Sequence, residues 1–216
     1  MASTLDRSPV SPGEPAPPFE LPAVDGSGTV SLEDYRGRSP VFLAIFVGLW
    51  CPFCRRAIAQ LSAMDEDLKK SGVQALGVVA TKPENAQLYF RFRPSKLRMG
   101  ADPDLQTHRA YGLPRPSVGP ELTEDINTTK INPNGAFSEP ITIAEANKTL
   151  TRLDGYEENA RDRADFERQF PQLKGQFLID RDGIVRWAHI ECEEGMTGLG
   201  KFPTLDEIRS AAQTLQ

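Results

Sequence analysis

The chain of 216 residues is long enough for one domain with elaborations and a proper core, and its 39% apolar and 25% charged residues are those of an ordinary globular protein. A formal net charge of −5 argues against a nucleic-acid partner, which depends on clustered basic residues. The most apolar run, residues 41–50, is about half of a membrane span; no N-terminal stretch has the pattern of a secretory signal; and three cysteines, two of them in one Cys-x-x-Cys, are not a secreted disulfide framework, so no membrane partner and a reducing, cytoplasmic setting are expected.

Residues 1–18 carry five prolines and few large apolar side chains, which predicts an extended N-terminal arm ahead of a single domain over 19–216. Residues 19–32 read as two short strands around the turn Asp25-Gly26-Ser27-Gly28. The continuous apolar run 41–47 predicts a strand buried on both faces. From Cys54 the period changes: Ala57, Leu61, Met64 and Leu68 fall on one face of a helix that Gly72 ends. A second buried strand over 73–80 and a second helix over 84–93, closed by Pro94, give an order that implies parallel crossovers. Residues 102–112 suggest a strand exit and one or two helical turns.

The stretch 114–173 begins as a proline-rich loop and continues as helices over 142–153 and 157–170. So long a segment cannot stay bare loop in a compact domain, and an insertion folded onto the sheet is expected. Residues 176–179 and 184–190 form a hairpin around Asp180-Arg181-Asp182-Gly183. That turn is not a calcium loop, because its last carboxylate would fall on Glu191, beyond the second strand. Thr204 and Glu207 make a capping box for a final helix with Leu205, Ile208, Ala212 and Leu215 on one face. The whole is an α/β fold with a central mixed sheet flanked by helices, an N-terminal β-hairpin and a partly helical insertion.

Cys51-Pro52-Phe53-Cys54 lies where the first buried strand gives way to a helix. There the unpaired N–H groups and the helix dipole favour a thiolate on the first cysteine. Pro52 costs the first turn no hydrogen bond, and one helical turn brings the second sulfur within bonding reach of the first. Arg55 and Arg56 are expected to add positive charge nearby, and Trp50 to shield the pair. Other readings remain: two inert packed cysteines, or half of a zinc site. Zinc needs two further ligands, and Cys192, His108 and His189 show no ligand spacing. Cys192, flanked by Glu191, Glu193 and Glu194, reads as a bystander thiol. His108 and His189 read as structural, and nothing is assigned to the loop 195–200.

"FVGLWCPFCRRAI" over 46–58 resembles the active-site segment of thioredoxin-like proteins. "APPFELPAVDGSGTVSLEDYRGRSPVFLAIF" over 16–46, "DPDLQTHRAYGL" over 102–113 and "KGQFLIDRDGIVRWAH" over 174–189 resemble the peroxiredoxin superfamily, the alkyl hydroperoxide reductase and thiol-specific antioxidant family. The resemblance implies a thioredoxin-like fold. Peroxiredoxins place a Thr or Ser three residues before the peroxidatic cysteine and a Pro seven before it; counted from Cys51 those places hold Gly48 and Ala44, counted from Cys54 they hold Cys51 and Val47, and either way the hydroxyl is missing. The family's arginine before the late strand is replaced by Lys174, which cannot offer a bidentate fork. Thioredoxins place a cis-proline just before that strand, and here Pro171 stands three residues too early.

Taken together, the resemblance and the motif imply a thiol-dependent oxidoreductase without cofactor or metal. Cys51 would be the nucleophile and Cys54 the resolving thiol, with Gly48, Trp50, Pro52, Phe53, Arg55 and Lys174 around them. The expected partners are a disulfide or hydroperoxide substrate, an external dithiol donor of thioredoxin or glutathione type, and a second copy in a homodimer. A redox sensor or binding module without turnover is the alternative from another class.

Overall fold

A computed structural model describes residues 8–215. The segment Phe19–Leu32 gives the expected hairpin, β1 (Glu20–Pro22) against β2 (Thr29–Ser31). The apolar run becomes β3 (Val41–Phe46), all six residues buried, and leads into α1 (Pro52–Lys70). Gly72 ends that helix at φ +78°, a conformation that costs glycine little. Then follow β4 (Gln74–Val79), α2 (Pro83–Phe92), β5 (Arg98–Ala101) and α3 (Gln106–Ala110).

The insertion holds more structure than its prolines suggest: α4 (Pro120–Thr128), a two-residue pairing of β6 (Lys130–Ile131) with β7 (Ile141–Thr142), α5 (Ile143–Leu153) and α6 (Ala160–Gln169). Pro120 opens α4 at its first position, where a missing N–H costs nothing; a proline read as a loop marker there is a helix start. Capping boxes at Thr142/Glu145 and Asn159/Asp162 fix the starts of α5 and α6, the latter at Ala160 rather than at 157. The chain closes with β8 (Gly175–Ile179), β9 (Val185–Ile190) and α7 (Leu205–Ala212), whose predicted Thr204/Glu207 box is present.

The five-stranded sheet runs β5-β4-β3-β8-β9, with β3–β4 and β4–β5 parallel and β3–β8 and β8–β9 antiparallel. One face packs on the β1–β2 hairpin and Tyr111 below α3. The other packs on α1 and α7 and, through Ile131, Ile143, Ala146 and Leu150, on the insertion. The described part of the arm is tied down from Val10, whose N–H donates to Tyr111 O at 3.1 Å, and then at the β8–β9 end, where Gly13 N–H donates to Val185 O and Ala16 N–H to Gly183 O, both at 2.8 Å. In the β8–β9 turn, Asp180 Oδ1 accepts from the N–H groups of Asp182 and Ile184, each at 2.9 Å. That carboxylate builds the turn. Among the described residues no helix is long and apolar enough to cross a membrane.

Candidate active site

Because β3 is the central strand and α1 follows it after a five-residue link, the cysteine pair sits at the C-terminal end of that strand, where the helix starts. Cys51 is the N-cap of α1, with extended backbone, and its Sγ accepts a hydrogen bond from Cys54 N–H at 3.3 Å. A sulfur thus occupies the place where a capping hydroxyl or carboxylate usually satisfies an orphan donor. Cys51 is 9% exposed and Cys54 not at all. The thiols pull apart in acidity. A second bond, from the Cys54 thiol to Cys51 Sγ, holds Cys51 below its ordinary value against the opposing effect of burial, with Lys174 and then the Cys54 N–H helping. The same bond, then burial, pushes Cys54 well up. One sulfur is therefore set to be thiolate while the other keeps its proton.

Lys174 lies just before β8 and is 1% exposed. Its ammonium donates to Glu191 Oε1 at the end of β9, and Glu191 also accepts from Gly200 N–H at 2.9 Å and Lys174 N–H at 3.2 Å. Burial opposes the Lys174 charge, but Glu191 and the two cysteines outweigh it and hold its pKa at about 12. A permanent buried cation therefore faces the pair.

Arg55, expected to add charge beside the sulfurs, is committed elsewhere. Its Nη1 donates to Leu49 O and Trp50 O at 2.9 Å, its Nη2 lies 3.4 Å from Asp154, and its guanidinium stacks 3.9 Å from the Tyr156 ring centroid. Arg56 reaches the same Asp154 at 2.7 Å. The first turn of α1 thereby clamps the α5–α6 connection. Trp50 Nε1–H donates to Gln169 Oε1 at 2.7 Å, and Gln169, fully buried, donates in turn to Ala80 O. This bond passes over Gly48: a Cβ there would stand 2.6 Å from Trp50 Nε1, and closer still to Gln169 Oε1. The space a side chain at Gly48 would need is taken up by the Trp50–Gln169 pair.

The Phe170–Pro171 bond is cis, and Pro171 lines one cavity with Cys51 and Cys54. The count that placed it too early is corrected by the path of the chain. Gln172 Nε2 donates to Leu113 O and Pro114 O at 3.2 and 3.0 Å, so residues 172–174 bridge back to the sheet and Pro171 comes to the sulfurs. The cavity, of about 390 Å³, is roofed by Leu122 and Ile126 of α4 and Ile143 and Ala144 of α5, and walled by Phe166, Met196 and Leu199. Pro52 and Phe53 begin α1 beneath it; Phe53 lies in its floor and would meet any side chain at Gly200.

Sequence reasoning missed Glu191, Gln169 and the loop around Met196 and Leu199. Glu191 carried one readable signal, an acidic residue ending an apolar strand beside a lysine-led one. Among the described residues no three His, Cys, Asp or Glu side chains gather as a metal would need. His108 is buried, which drops its pKa to about 3, and burial lowers His189, whose Nδ1 lies 2.6 Å from Gln176 Oε1. Burial and Glu191 push the Cys192 thiol up to about 12.

Comparison with known proteins places this architecture. A sequence profile of the AhpC/TSA family matches residues 12–188. A relative named a peroxiredoxin in Mycobacterium tuberculosis is 30% identical over 103 residues, 48% of this chain and 64% of that one. Peroxiredoxin Bcp of Escherichia coli is 29% identical over 106 residues, 49% and 67% of the two chains. The match to the mycobacterial relative thus spans under two thirds of its length. Among solved structures, peroxidoxin BcpB from Mycobacterium tuberculosis superposes with a TM-score of 0.59 at 12% identity over 96% of this chain and 99% of that one. The mitochondrial 2-cys peroxiredoxin from Plasmodium falciparum gives 0.56 at 12% over 94% and 93%. These two share the fold, and the profile, which runs from the N-terminal arm to β9, shows that the chain belongs to the AhpC/TSA family.

Proposed function

We propose that the protein is a thiol-dependent oxidoreductase that cycles Cys51 and Cys54 between dithiol and disulfide. The observation that carries this reading is the split pair: Cys51 Sγ receives the Cys54 N–H at the start of α1 beside the buried Lys174 cation, while Cys54 stays protonated. The Cys51 thiolate attacks one sulfur of a substrate disulfide, forming a mixed disulfide and releasing the other sulfur as thiolate. Cys54 gives up its proton and attacks Cys51 Sγ; the internal disulfide forms and the second substrate sulfur leaves, taking a proton. With a hydroperoxide, Cys51 takes the terminal oxygen as a sulfenic acid and an alcohol leaves; Cys54 then condenses with the sulfenic acid and water is lost. An external thiol donor returns the disulfide to the dithiol.

Disulfide exchange is the faster of the two in this reading. Peroxide reduction needs a donor to position the two oxygens, and the Trp50–Gln169 bond leaves no room for a hydroxyl side chain at Gly48. The test is turnover of the purified protein with dithiothreitol, on a model disulfide and a hydroperoxide in parallel, beside Cys51→Ser and Cys54→Ser. Loss of both activities in Cys51→Ser, with a trapped mixed disulfide in Cys54→Ser, is expected. A reversibly oxidised pair with no turnover on either substrate would leave a sensor or binding module instead.

A further inference from the structure

The dithiol is reached through a chamber whose walls say what can enter. Cys51, 9% exposed, lies at the floor, and the roof is insertion: Leu122, Ile126, Ile143 and Ala144. Trp50 stands on one side, pinned by Gln169, with Phe166 edge-on to it at 4.9 Å. The charged side chains of the lining are Lys148, exposed and therefore on the solvent side, and Glu191, already paired with Lys174. A volume of about 390 Å³ is that of a site for one small organic molecule.

We propose that the donor which re-reduces the Cys51–Cys54 disulfide is a small dithiol carrying a neutral apolar arm, held in this chamber, and not a thioredoxin or glutathione. The inference rests on the cycle proposed above. A protein donor must bring its own helix-bound sulfur to within bonding distance of Cys51, which is 9% exposed and lines one cavity with Leu122, Ile126, Ile143 and Ala144 of the insertion. Glutathione would have to bring two carboxylates and an ammonium to a mostly apolar wall, where unpaired charge is costly. An alkyl arm gains there: each methylene that leaves water is worth roughly a factor of four.

Two thiols on one molecule answer a second constraint. The first donor thiolate attacks the internal disulfide, forming a mixed disulfide and freeing one cysteine as thiolate. In a chamber already filled by that donor, a second molecule has no path to the mixed disulfide. The donor's own second thiol is there, at high effective concentration. It attacks its neighbouring sulfur, the donor leaves as a cyclic disulfide, and both cysteines return as thiols with the two protons the donor supplied. Two electrons and two protons pass, and the account closes.

The experiment uses the full chain, oxidised at the Cys51–Cys54 pair, and follows re-reduction by stopped-flow tryptophan fluorescence and by acid-quench mass spectrometry. The donors are dihydrolipoamide, dithiothreitol, glutathione and a thioredoxin with its reductase. Dihydrolipoamide is expected to outrun dithiothreitol, a dithiol without the arm, by about tenfold or more, as burial of two methylenes requires. Glutathione and thioredoxin are expected to trail both. Ala144→Phe, which fills the chamber from the roof, should erase the advantage over dithiothreitol. Equal rates for the two dithiols, or thioredoxin as the fastest donor, overturn the proposal while leaving the cycle intact. A pair that no donor reduces, dithiothreitol included, overturns the cycle itself.

Discussion

Replacing Gly48 with alanine probes the arrangement that sets this site apart from the peroxide-reducing pattern of its family. The backbone at Gly48 is not in the left-handed region, so the whole penalty is spatial. The new Cβ would lie 2.6 and 2.8 Å from Trp50 Nε1 and Cδ1 and nearer still to Gln169 Oε1. Neither neighbour yields cheaply: Gln169 is fully buried and donates to Ala80 O, and Trp50 packs edge-on against Phe166. Overpacking of this kind costs about 1–3 kcal/mol. If the Trp50–Gln169 bond breaks, a buried carbonyl oxygen loses its partner, for another ~1–3 kcal/mol. Gly48→Ala should therefore lose about 2–6 kcal/mol in urea unfolding followed by far-ultraviolet circular dichroism. Trp50 emission should shift to the red as the ring is displaced. Gly48→Ala/Gln169→Ala, which removes the nearest clash, should be less destabilised than the sum of the single variants by about 1 kcal/mol or more. Gly48→Thr should gain no peroxidase activity, since its hydroxyl cannot be seated without evicting Trp50. A Gly48→Ala protein within ~0.5 kcal/mol of the parent, with unshifted emission, would refute the reasoning.

Two further perturbations address charge. Cys51 is held below its ordinary value, so its alkylation rate should reach half-maximum at a pH below the ~8.5 of a free thiol. Lys174→Met removes a cation that favours the thiolate and should move that midpoint up; it also strands buried Glu191, costing about 3–5 kcal/mol in unfolding. Lys174→Met/Glu191→Leu should regain stability and part of the low midpoint, because Glu191 raises Cys51 by less than Lys174 lowers it; an unmoved midpoint in Lys174→Met would show that the Lys174 charge does not act on Cys51. Asp154→Ala unties Arg55 and Arg56 from the α5–α6 connection, and should cost about 1.5–3 kcal/mol and speed proteolysis within residues 154–159. Unchanged cleavage would mean that the clamp does not hold the insertion.

What the sequence made legible is what local periodicity and chain chemistry encode. The run in β3, the face of α1, the Thr204/Glu207 box and the Asp180 turn were readable because each is decided within a few residues. The site's second layer is decided across the chain. Trp50 and Gln169 are 119 positions apart, and Arg55 and Asp154 are 99. Nothing in the composition of 154–169 says which arginine or indole those side chains will meet. Pro171 shows the same limit: spacing measures contour length, whereas the approach of a residue to the sulfurs depends on where Gln172 anchors the chain. Glu191 was weighed only as a neighbour that would discourage a Cys192 thiolate, yet β9 and Gly200 turn it toward Lys174. Glu191 and Cys192 follow β9 in a turn where Cys192 takes φ +61°, so the two neighbours enter different surroundings. Glu191 does raise the Cys192 thiol, as their adjacency implied; what adjacency could not show is that the pairing of β8 with β9 brings its carboxylate to Lys174.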